Sequence, residues 1–393
     1  MSVQRATASI DLAAVRANVV ELRGRAASAE VMAVVKADAY GHGLLPVARA
    51  AVEAGATWLG TALLEEGLAL RAAGLTAPRI LSWLLDPEDE WAAAVAADVD
   101  VSASAPWAVD AAAAGARAAG RPARLHLKVD SGLGRAGCPA AGWDDLVRHA
   151  LAAAGDGAVE VVGLWSHLAY ADAPHHPTTD AQILAFKDAV ASAEAAGVRP
   201  EVRHLANSAA TLTRPDTHFD LVRPGLAVYG LSPVPDLTPP GGLGLRPVMT
   251  LAARLALVKR VPAGQGVSYF HRYTTTRETT LALVPLGYAD GIPRHATDVG
   301  PVLAAVARRT VAGAVFMDQF VVDIGDDAAV EGDQVLLFGP GDSGEPGAQD
   351  WAHACGTVSY EIVSRIGPRV PRVLVGEQQV AGQQVAGQQV GER

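Results

Sequence analysis

The sequence predicts an α/β protein in which an N-terminal (β/α)8 TIM-type barrel precedes a mainly β C-terminal domain. Apolar, β-rich segments alternate with helical patterns from residue 10 to about residue 225, and this alternation is typical of βα units. Eight units of this length fit a closed barrel of parallel strands that are buried on both faces. Shorter strand candidates separated by glycine turns follow, which is typical of a β domain.

The predicted barrel strands are continuous apolar segments. In chain order they are residues 31–35, 58–62, 79–85, 99–104, 124–130, 159–167, 202–207 and 219–223. Helical patterns lie between them at residues 44–53, 64–73, 91–97, 107–119, 142–153 and 181–196. An open doubly wound sheet is the structural alternative. It is disfavoured because no glycine-rich dinucleotide-binding motif follows the first strand.

Proline and glycine residues cluster from Pro233 to Pro247, which predicts a linker. Beyond it, short strands are predicted at residues 248–258, 280–285, 304–307, 320–323 and 334–338. We therefore predict a barrel domain at residues 1–240 and a C-terminal β domain at residues 241–375. The last residues, 376–393, repeat the unit QQVAG and are predicted to form a disordered, low-complexity tail.

The composition excludes several classes of protein. Half of the 393 residues are hydrophobic and 19% are charged, which indicates a large core rather than a disordered chain. The net charge of −10 disfavours nucleic acid or an anionic membrane as the main partner. The sequence contains neither an apolar segment of membrane-spanning length nor an apolar signal segment, and it has only two cysteines. We expect a cytoplasmic protein without a metal site.

Polar residues stand at the predicted carboxyl ends of five barrel strands, where barrel enzymes place their active sites. They are Lys36, Lys128 with Asp130, His167, Asn207 with Ser208, and Arg223. Each alone is an ordinary strand-end residue, but five on one rim converge on one cavity. A lysine held against apolar surface has a lowered pKa, which makes its amine the better nucleophile that Schiff-base chemistry requires.

The segment from Arg223 to Gly225 exposes backbone N–H groups at a glycine, where a ligand can approach closely. Ser208 stands at a predicted helix start, and helix starts bind phosphate. Barrel enzymes often hold phosphate in this region. Together with the amine of Lys36, these residues indicate pyridoxal 5′-phosphate as the cofactor.

Nine motifs lie in order along nearly the whole chain, between SIDLAAVRANV and RIGPRVPRV. They are AVVKADAYGHG, LHLKVDSGLGRAG, WSHLAYAD, HLANSAA, VRPGLAVYG, VSY, PLGYADG, MDQFVVD and GTVSYEIV. In content and order they resemble the bacterial alanine racemase family. The resemblance implies a pyridoxal-phosphate enzyme with a barrel and a β domain.

The resemblance also implies the cofactor-binding residues. Lys36 is expected to bind pyridoxal phosphate as a Schiff base, and Arg223 to be the partner of its pyridine nitrogen. An arginine donates a hydrogen bond without giving up its proton, which disfavours a long-lived carbanion and side reactions such as transamination. The other cofactor contacts are expected from Tyr40, Asn207, Ser208, Gly225, Leu226 and Tyr360.

Racemisation needs a proton removed from one face of Cα and another delivered to the opposite face. By resemblance, Lys36 is the base for the D-enantiomer and Tyr269 the base for the L-enantiomer. An unperturbed tyrosine has a pKa of about 10, so a phenolate near neutral pH needs cationic or hydrogen-bonding neighbours. His167 and Arg223 are the expected neighbours, in a Tyr269–His167–Arg223 chain.

Tyr269 lies in the predicted β domain, whereas Lys36 lies in the barrel. The family resolves this with a head-to-tail homodimer in which each β domain covers the partner's barrel mouth, so we expect an obligate homodimer with shared sites. Arg135 and the backbone of Met317 resemble the groups that hold the substrate carboxylate. Lys128 matches a lysine that some members carry as a carbamate, whose negative charge would orient Arg135.

The leading hypothesis is an alanine racemase that supplies D-alanine for peptidoglycan. A broader racemase that also accepts serine is an alternative, because four residues depart from those usual in the family: Leu133, Phe270, Ala314 and Phe316. A non-enzymatic pyridoxal-phosphate carrier is a second alternative, disfavoured by the C-terminal domain. A decarboxylase of this fold is expected to carry a carboxylate in place of Arg223, so Arg223 favours racemisation.

Overall fold

The computed structural model describes residues 4–26, 28–238 and 242–376. The chain begins with β1 (Ala6–Asp11) and α1 (Leu12–Arg25). Asp11 starts this helix because its carboxylate accepts hydrogen bonds from the backbone N–H groups of Ala13 (2.9 Å) and Ala14 (3.1 Å). Residues 377–393 of the predicted tail, and the linker residues Pro239 and Pro240, lie outside the described residues.

Eight parallel strands form the barrel, and adjacent strands in space are hydrogen-bonded in the order β8-β7-β6-β5-β4-β3-β2-β9. Their bounds are β2 (Glu30–Val34), β3 (Trp58–Thr61), β4 (Arg79–Ser82), β5 (Val99–Ala103), β6 (Ala123–Lys128), β7 (Val159–Trp165), β8 (Val202–His204) and β9 (Leu221–Val222). The predicted fold class is confirmed.

The barrel is nearly closed. Strand β9 pairs with β2, which joins the last strand to the first. On its other side, the backbone N–H of Asp220 donates to the carbonyl of Arg203 (3.0 Å), and that of Arg223 donates to the carbonyl of Ala206 (2.9 Å). The carboxyl ends of the strands therefore surround one mouth, where a barrel holds its active site.

Helical segments alternate with the barrel strands along the chain. They are α2 (Lys36–Gly41), α3 (Leu44–Glu53), α4 (Leu64–Ala72), α5 (Trp91–Ala96), α6 (Pro106–Ala119), α7 (Trp143–Gly155), α8 (Pro177–Ala196) and α9 (Ser208–Thr213). The buried residues of α6 recur at helical spacing, and most of them are alanine. Small side chains let these helices pack closely: a Cβ at Gly115 of α6 would press against the backbone of Trp91. No helix in the described part of the chain is both long and apolar enough to span a bilayer.

The C-terminal part is mainly sheet. Its elements are β10 (Met249–Arg254), β11 (Leu257–Val261), β12 (Gly266–Val267), β13 (Tyr273–Thr274), β14 (Thr279–Val284), β15 (Pro301–Ala304), β16 (Ala307–Thr310), β17 (Phe320–Gly325), β18 (Gln334–Phe338), α10 (Ala348–Cys355), α11 (Ser359–Ser364) and β19 (Arg372–Val375). The largest sheet of this part has the order β16-β15-β18-β10-β1-β19. Strand β1 therefore joins the C-terminal sheet although it precedes the barrel. The domain bounds at residues 240 and 375 remain a prediction.

Two predicted strands are wrong. Residues 248–258 form two strands in different sheets, because the backbone N–H of Leu255 bonds to Asp333 and that of Ala256 to Leu283, which carries the chain from one sheet to the next. Residues 304–307 form the turn of a hairpin between β15 and β16. Ala305 in this turn has a φ of 55°, so the segment cannot continue as a strand.

Candidate active site

Lys36 lies two residues after the buried end of β2 at Val34 and begins α2, a helical turn of left-handed sense. The four residues after it, from Ala37 to Tyr40, all have φ between 51 and 54°. Left-handed helical conformation costs about 1–2 kcal/mol for each residue that has a Cβ. Such a segment persists only where its surroundings hold it, and such strain is concentrated at active sites.

Two carboxylates hold the left-handed turn at its ends. Glu66 accepts a hydrogen bond from the backbone N–H of Ala37 (2.6 Å), while its other oxygen accepts one from Ala62 (2.9 Å) at the start of α4. Asp38 accepts one from the N–H of Leu44 (2.7 Å), the first residue of α3. The turn is thereby tied to two helices, and the position of Lys36 at the barrel mouth is fixed.

The environment of Lys36 favours its neutral amine. Burial lowers the pKa of the Lys36 ammonium, and the positive charge of Arg135 lowers it further. The carboxylate of Glu66 opposes this shift in part. A lysine with a lowered pKa offers more free amine at neutral pH, as a nucleophile or a base requires.

Arg223 is buried at the carboxyl end of β9 and is held by four hydrogen bonds. Its Nη2 donates to the carbonyls of Ser166 (2.8 Å) and Leu205 (3.1 Å) and to Nδ1 of His167 (3.3 Å). Its Nη1 donates to Nδ1 of His204 (3.1 Å). Burial lowers the pKa of Arg223 to about 9, which still leaves the guanidinium charged at neutral pH.

The contact with Arg223 determines the form of His167. A guanidinium only donates hydrogen bonds, so Nδ1 of His167 accepts and its proton lies on Nε2. Burial and the positive charge of Arg223 hold the pKa of His167 well below its usual value, so the ring is neutral at neutral pH. His167 therefore presents an Nε2–H donor to a further partner.

Lys128 lies beside Arg223 and Arg135 in the same mouth. Burial, and then the charges of Arg223 and Arg135, lower the pKa of Lys128 to about 7. After it, the carboxylate of Asp130 accepts hydrogen bonds from three consecutive backbone N–H groups, those of residues 132–134. Asp130 thereby shapes the loop that carries Arg135.

The residues predicted to bind phosphate surround the start of α9. The Ser208 hydroxyl accepts hydrogen bonds from the backbone N–H groups of Gly225 (2.8 Å) and Ala227 (3.2 Å). Asn207 caps α9 by accepting from the N–H of Ala210 (3.1 Å). Tyr40 lies so close to Gly225 that a Cβ there would collide with its hydroxyl. Leu226 is buried beside this group, and the ring of Tyr360 lies 6.0 Å from that of Tyr40.

Two of the predicted site residues stand apart in the single chain. Tyr269 is 68% exposed, and its ring packs edge-on against Phe316 at 5.2 Å between centroids. Met317 is also exposed. Within the described residues, Tyr269 makes no hydrogen bond to His167 or Arg223. A single polypeptide therefore does not assemble the predicted Tyr269–His167–Arg223 series of hydrogen bonds.

Comparison with known proteins identifies the family. The profile of the alanine racemase N-terminal domain matches residues 10–233, and that of the C-terminal domain matches residues 248–374. The chain belongs to the alanine racemase family. An alanine racemase of Frankia casuarinae is 64% identical over 368 residues, which cover 94% of this chain and 96% of that protein. One of Streptomyces coelicolor is 62% identical over 380 residues, covering 96% and 97%.

Solved structures of the family share the whole fold. The crystal structure of an alanine racemase from D-cycloserine-producing Streptomyces lavendulae has a TM-score of 0.95 at 59% identity and covers 96% of this chain and 99% of its own. The alanine racemase structure from Streptomyces coelicolor has a TM-score of 0.94 at 62% identity and covers 95% and 98%. The predicted resemblance to alanine racemases is therefore confirmed.

Alanine racemases use pyridoxal 5′-phosphate, and the residues present fit this cofactor. The Nε of Arg223 and the hydroxyl of the buried Tyr40 make no hydrogen bond to the described residues. Both groups can donate a hydrogen bond, and a pyridine nitrogen and a phosphate are acceptors that match them. The amine of Lys36 lies in the same mouth with a lowered pKa.

Sequence analysis missed several residues that support this alanine racemase site. Glu66 holds the left-handed turn, and Tyr229 donates its hydroxyl to the carbonyl of Val34 (2.9 Å) while its ring packs on Tyr40. Trp165 underlies Lys128 and Arg223. Tyr229 and Trp165 lie within the motifs VRPGLAVYG and WSHLAYAD, which are the sequence signal that could have found them.

Proposed function

We propose that this protein is a pyridoxal-phosphate-dependent alanine racemase that interconverts L-alanine and D-alanine. One observation carries the proposal: the amine of Lys36, with a lowered pKa, shares a barrel mouth with the buried guanidinium of Arg223, which four hydrogen bonds hold in place. The identity of 64% with an alanine racemase over 94% of the chain supports it.

The cofactor, when bound, withdraws electrons from the substrate Cα and so makes its proton easier to remove. Lys36 is the residue that would hold it covalently. Arg223 would donate from Nε to the pyridine nitrogen without losing its own proton. Tyr40, Ser208 and the backbone at Gly225 would hold the phosphate, with Asn207, Leu226 and Tyr360 around them.

Proton transfer at Cα needs one base on each face. We assign Lys36 to the proton of the D-enantiomer and Tyr269 to that of the L-enantiomer. The Nε2–H of His167 would donate to the Tyr269 oxygen and so favour its phenolate, while Arg223 keeps His167 neutral and oriented.

Tyr269 reaches this mouth from a second chain in our proposal. Its 68% exposure, and the 98% exposure of its neighbour Phe270, suit a loop that is covered in a homodimer. Each dimer would then contain two sites, both shared between subunits. Burial of exposed aromatic side chains at an interface is a common source of binding free energy between subunits.

The substrate carboxylate would bind Arg135 and the backbone of Met317. Lys128, as a carbamate, would supply a negative charge that orients Arg135; as an ammonium it would repel it. The product D-alanine would serve peptidoglycan synthesis, and we expect a cytoplasmic location.

A broader racemase that also accepts serine is the second candidate. It is favoured by the packing of Tyr269 on Phe316, since Phe316 is one of the residues that depart from the family pattern. A bulky ring under the proposed base changes the shape of the channel by which substrates approach.

The deciding experiment follows Cα proton exchange in deuterated water with the cofactor-loaded enzyme and L-alanine, L-serine and larger amino acids, together with the enantiomer formed. Fast exchange with D-product for alanine alone supports the alanine racemase. Comparable rates for serine move the assignment to the broader racemase. Absence of exchange with the cofactor bound would contradict both racemase assignments and would support a non-enzymatic pyridoxal-phosphate carrier.

A further inference from the structure

A chain of buried hydrogen bonds descends from Arg223 into the barrel. Nη1 of Arg223 lies 3.1 Å from Nδ1 of His204, Nε2 of His204 lies 2.9 Å from Nδ1 of His126, and Nε2 of His126 lies 3.1 Å from Oδ2 of Asp100. All four side chains are buried. The chain runs through the barrel interior, away from the cofactor-binding groups, and the proposed chemistry uses only its first member.

The direction of every bond in this chain is fixed. A guanidinium only donates, so Nδ1 of His204 accepts and its proton lies on Nε2. That Nε2–H donates to Nδ1 of His126, whose own proton therefore lies on Nε2 and is donated to Asp100. Both rings are thus neutral Nε2–H tautomers. A protonated or flipped ring would set two donors against each other.

The electrostatics of both rings agree with this assignment. Burial and the charge of Arg223 hold the pKa of His204 well below its usual value, and burial lowers the pKa of His126. Neither ring is therefore charged at neutral pH.

Asp100 ends this series of hydrogen bonds with a carboxylate that is held in place by several donors. Its carboxylate accepts hydrogen bonds from Nη2 of Arg79 (2.5 Å) and Nε of Arg124 (2.6 Å) as well as from His126. Burial opposes ionisation, but the hydrogen bond from His126 and the charges of the two arginines hold the pKa of Asp100 below its usual value. A fixed negative charge therefore lies at one end and the positive Arg223 at the other.

The backbone makes room for the two rings. A Cβ at Gly163 of β7 would collide with the ring of His126. The register between β6 and β7 shifts between Leu125 and His126, a bulge in a parallel pair, where bulges are rare. His204 stacks face to face on Trp165 at 5.4 Å and 8°. Such devices re-aim side chains and indicate a built arrangement.

We propose that Asp100, His126 and His204 are positioning residues that fix the guanidinium of Arg223, so that its Nε would be held ready to donate to the cofactor's ring nitrogen. The inference rests on the proposed function only in assigning that acceptor to Arg223. Without the chain, His204 can adopt its other tautomer, whose Nδ1–H opposes the N–H of Arg223 and displaces it.

The matched test uses two substitutions at His126, which does not touch Arg223. His126→Gln keeps an acceptor for His204 and a donor for Asp100, whereas His126→Leu removes both. We expect His126→Leu to weaken binding of pyridoxal phosphate to the apoenzyme by about tenfold or more, and His126→Gln to restore most of it. Equal affinity in all three proteins, at equal thermal stability of the apoenzymes, would overturn the proposal.

Nitrogen-15 NMR of the wild-type apoenzyme tests the hydrogen-bonded chain without relying on His126→Leu. We expect two histidines, assigned by their loss in His126→Gln and His204→Gln, to be neutral Nε2–H tautomers at neutral pH. Either ring as Nδ1–H or as imidazolium contradicts the proposal, even if His126→Leu fails to fold. Neither measurement depends on turnover. A failure to racemise alanine would therefore contradict the proposed function without contradicting the positioning role of these residues.

Discussion

The amine of Lys128 lies 4.1 Å from the centroid of the Trp165 indole ring. Arg223 lies over the same ring, with Cζ at 4.9 Å from the centroid. The electron-rich face of an indole attracts cations, and here it lies next to two positive groups that repel each other. Burial and this repulsion bring the pKa of Lys128 to about 7, so a large fraction of its amine is neutral at physiological pH.

A neutral buried amine can react with carbon dioxide, forming an N–C bond and releasing a proton to give a carbamate. We expect carbon-13 bicarbonate to give a carbamate signal in the wild-type enzyme that grows as pH rises through 7 and is absent in Lys128→Met. The same variant should raise the KM for alanine by about tenfold, as expected for loss of one charge-assisted contact to Arg135. A wild-type enzyme with no signal and no response to carbon dioxide would contradict the carbamate.

The left-handed turn after Lys36 predicts an inverted response to glycine. Ala37 is exposed and has a φ of 53°, a conformation that glycine adopts without strain. We expect Ala37→Gly to raise the free energy of unfolding or leave it unchanged. Ala17, exposed within the regular helix α1, is the control, and Ala17→Gly should lower it by about 1 kcal/mol. Urea unfolding of both variants decides; equal losses would contradict the strained turn.

The sequence could not have predicted this turn. Ala37 and Ala39 carry no preference for positive φ, since alanine favours right-handed helix. The reversal comes from contacts that are distant in sequence, such as the carboxylate of Glu66 on the N–H of Ala37. The strand before it was predictable, because an unbroken apolar segment is a local signal.

The residues of the barrel rim could be predicted from local sequence patterns, whereas the second base could not. Lys36, His167 and Arg223 could be placed on one rim because parallel strands bring their carboxyl ends together. Tyr269 could be assigned only by resemblance to the family. Within one chain it is an exposed tyrosine, and no pattern in its own segment indicates a partner site.

Lys36→Ala should abolish both covalent binding of pyridoxal phosphate and racemisation, because it removes the amine that we assign to hold the cofactor. The absorbance of the bound cofactor and the rate of D-alanine formation report these separately. Lys36→Arg, which keeps the positive charge but cannot form the Schiff base at neutral pH, is the matched control. Turnover retained by either variant would remove Lys36 from its assigned role.

Tyr269→Phe should leave the cofactor bound, because Tyr269 lies outside the barrel and its loss removes only a hydroxyl. Exchange of the Cα proton should slow chiefly for L-alanine, since the phenolic oxygen is the proposed base on that face. Initial exchange rates with each enantiomer in deuterated water give the comparison. Equal slowing from both enantiomers would argue against the assignment of the faces.

The proposed shared site predicts that two inactive proteins restore activity when mixed. In a hybrid dimer of Lys36→Ala and Tyr269→Phe subunits, one site carries both substitutions and the other carries neither. Random re-association of equal amounts should therefore regain about one quarter of the wild-type sites. Mild unfolding and refolding of the mixture, with each variant refolded alone as the control, provides the measurement. If Lys36 and Tyr269 served one site within the same chain, every site in the mixture would keep one substitution and no activity would return.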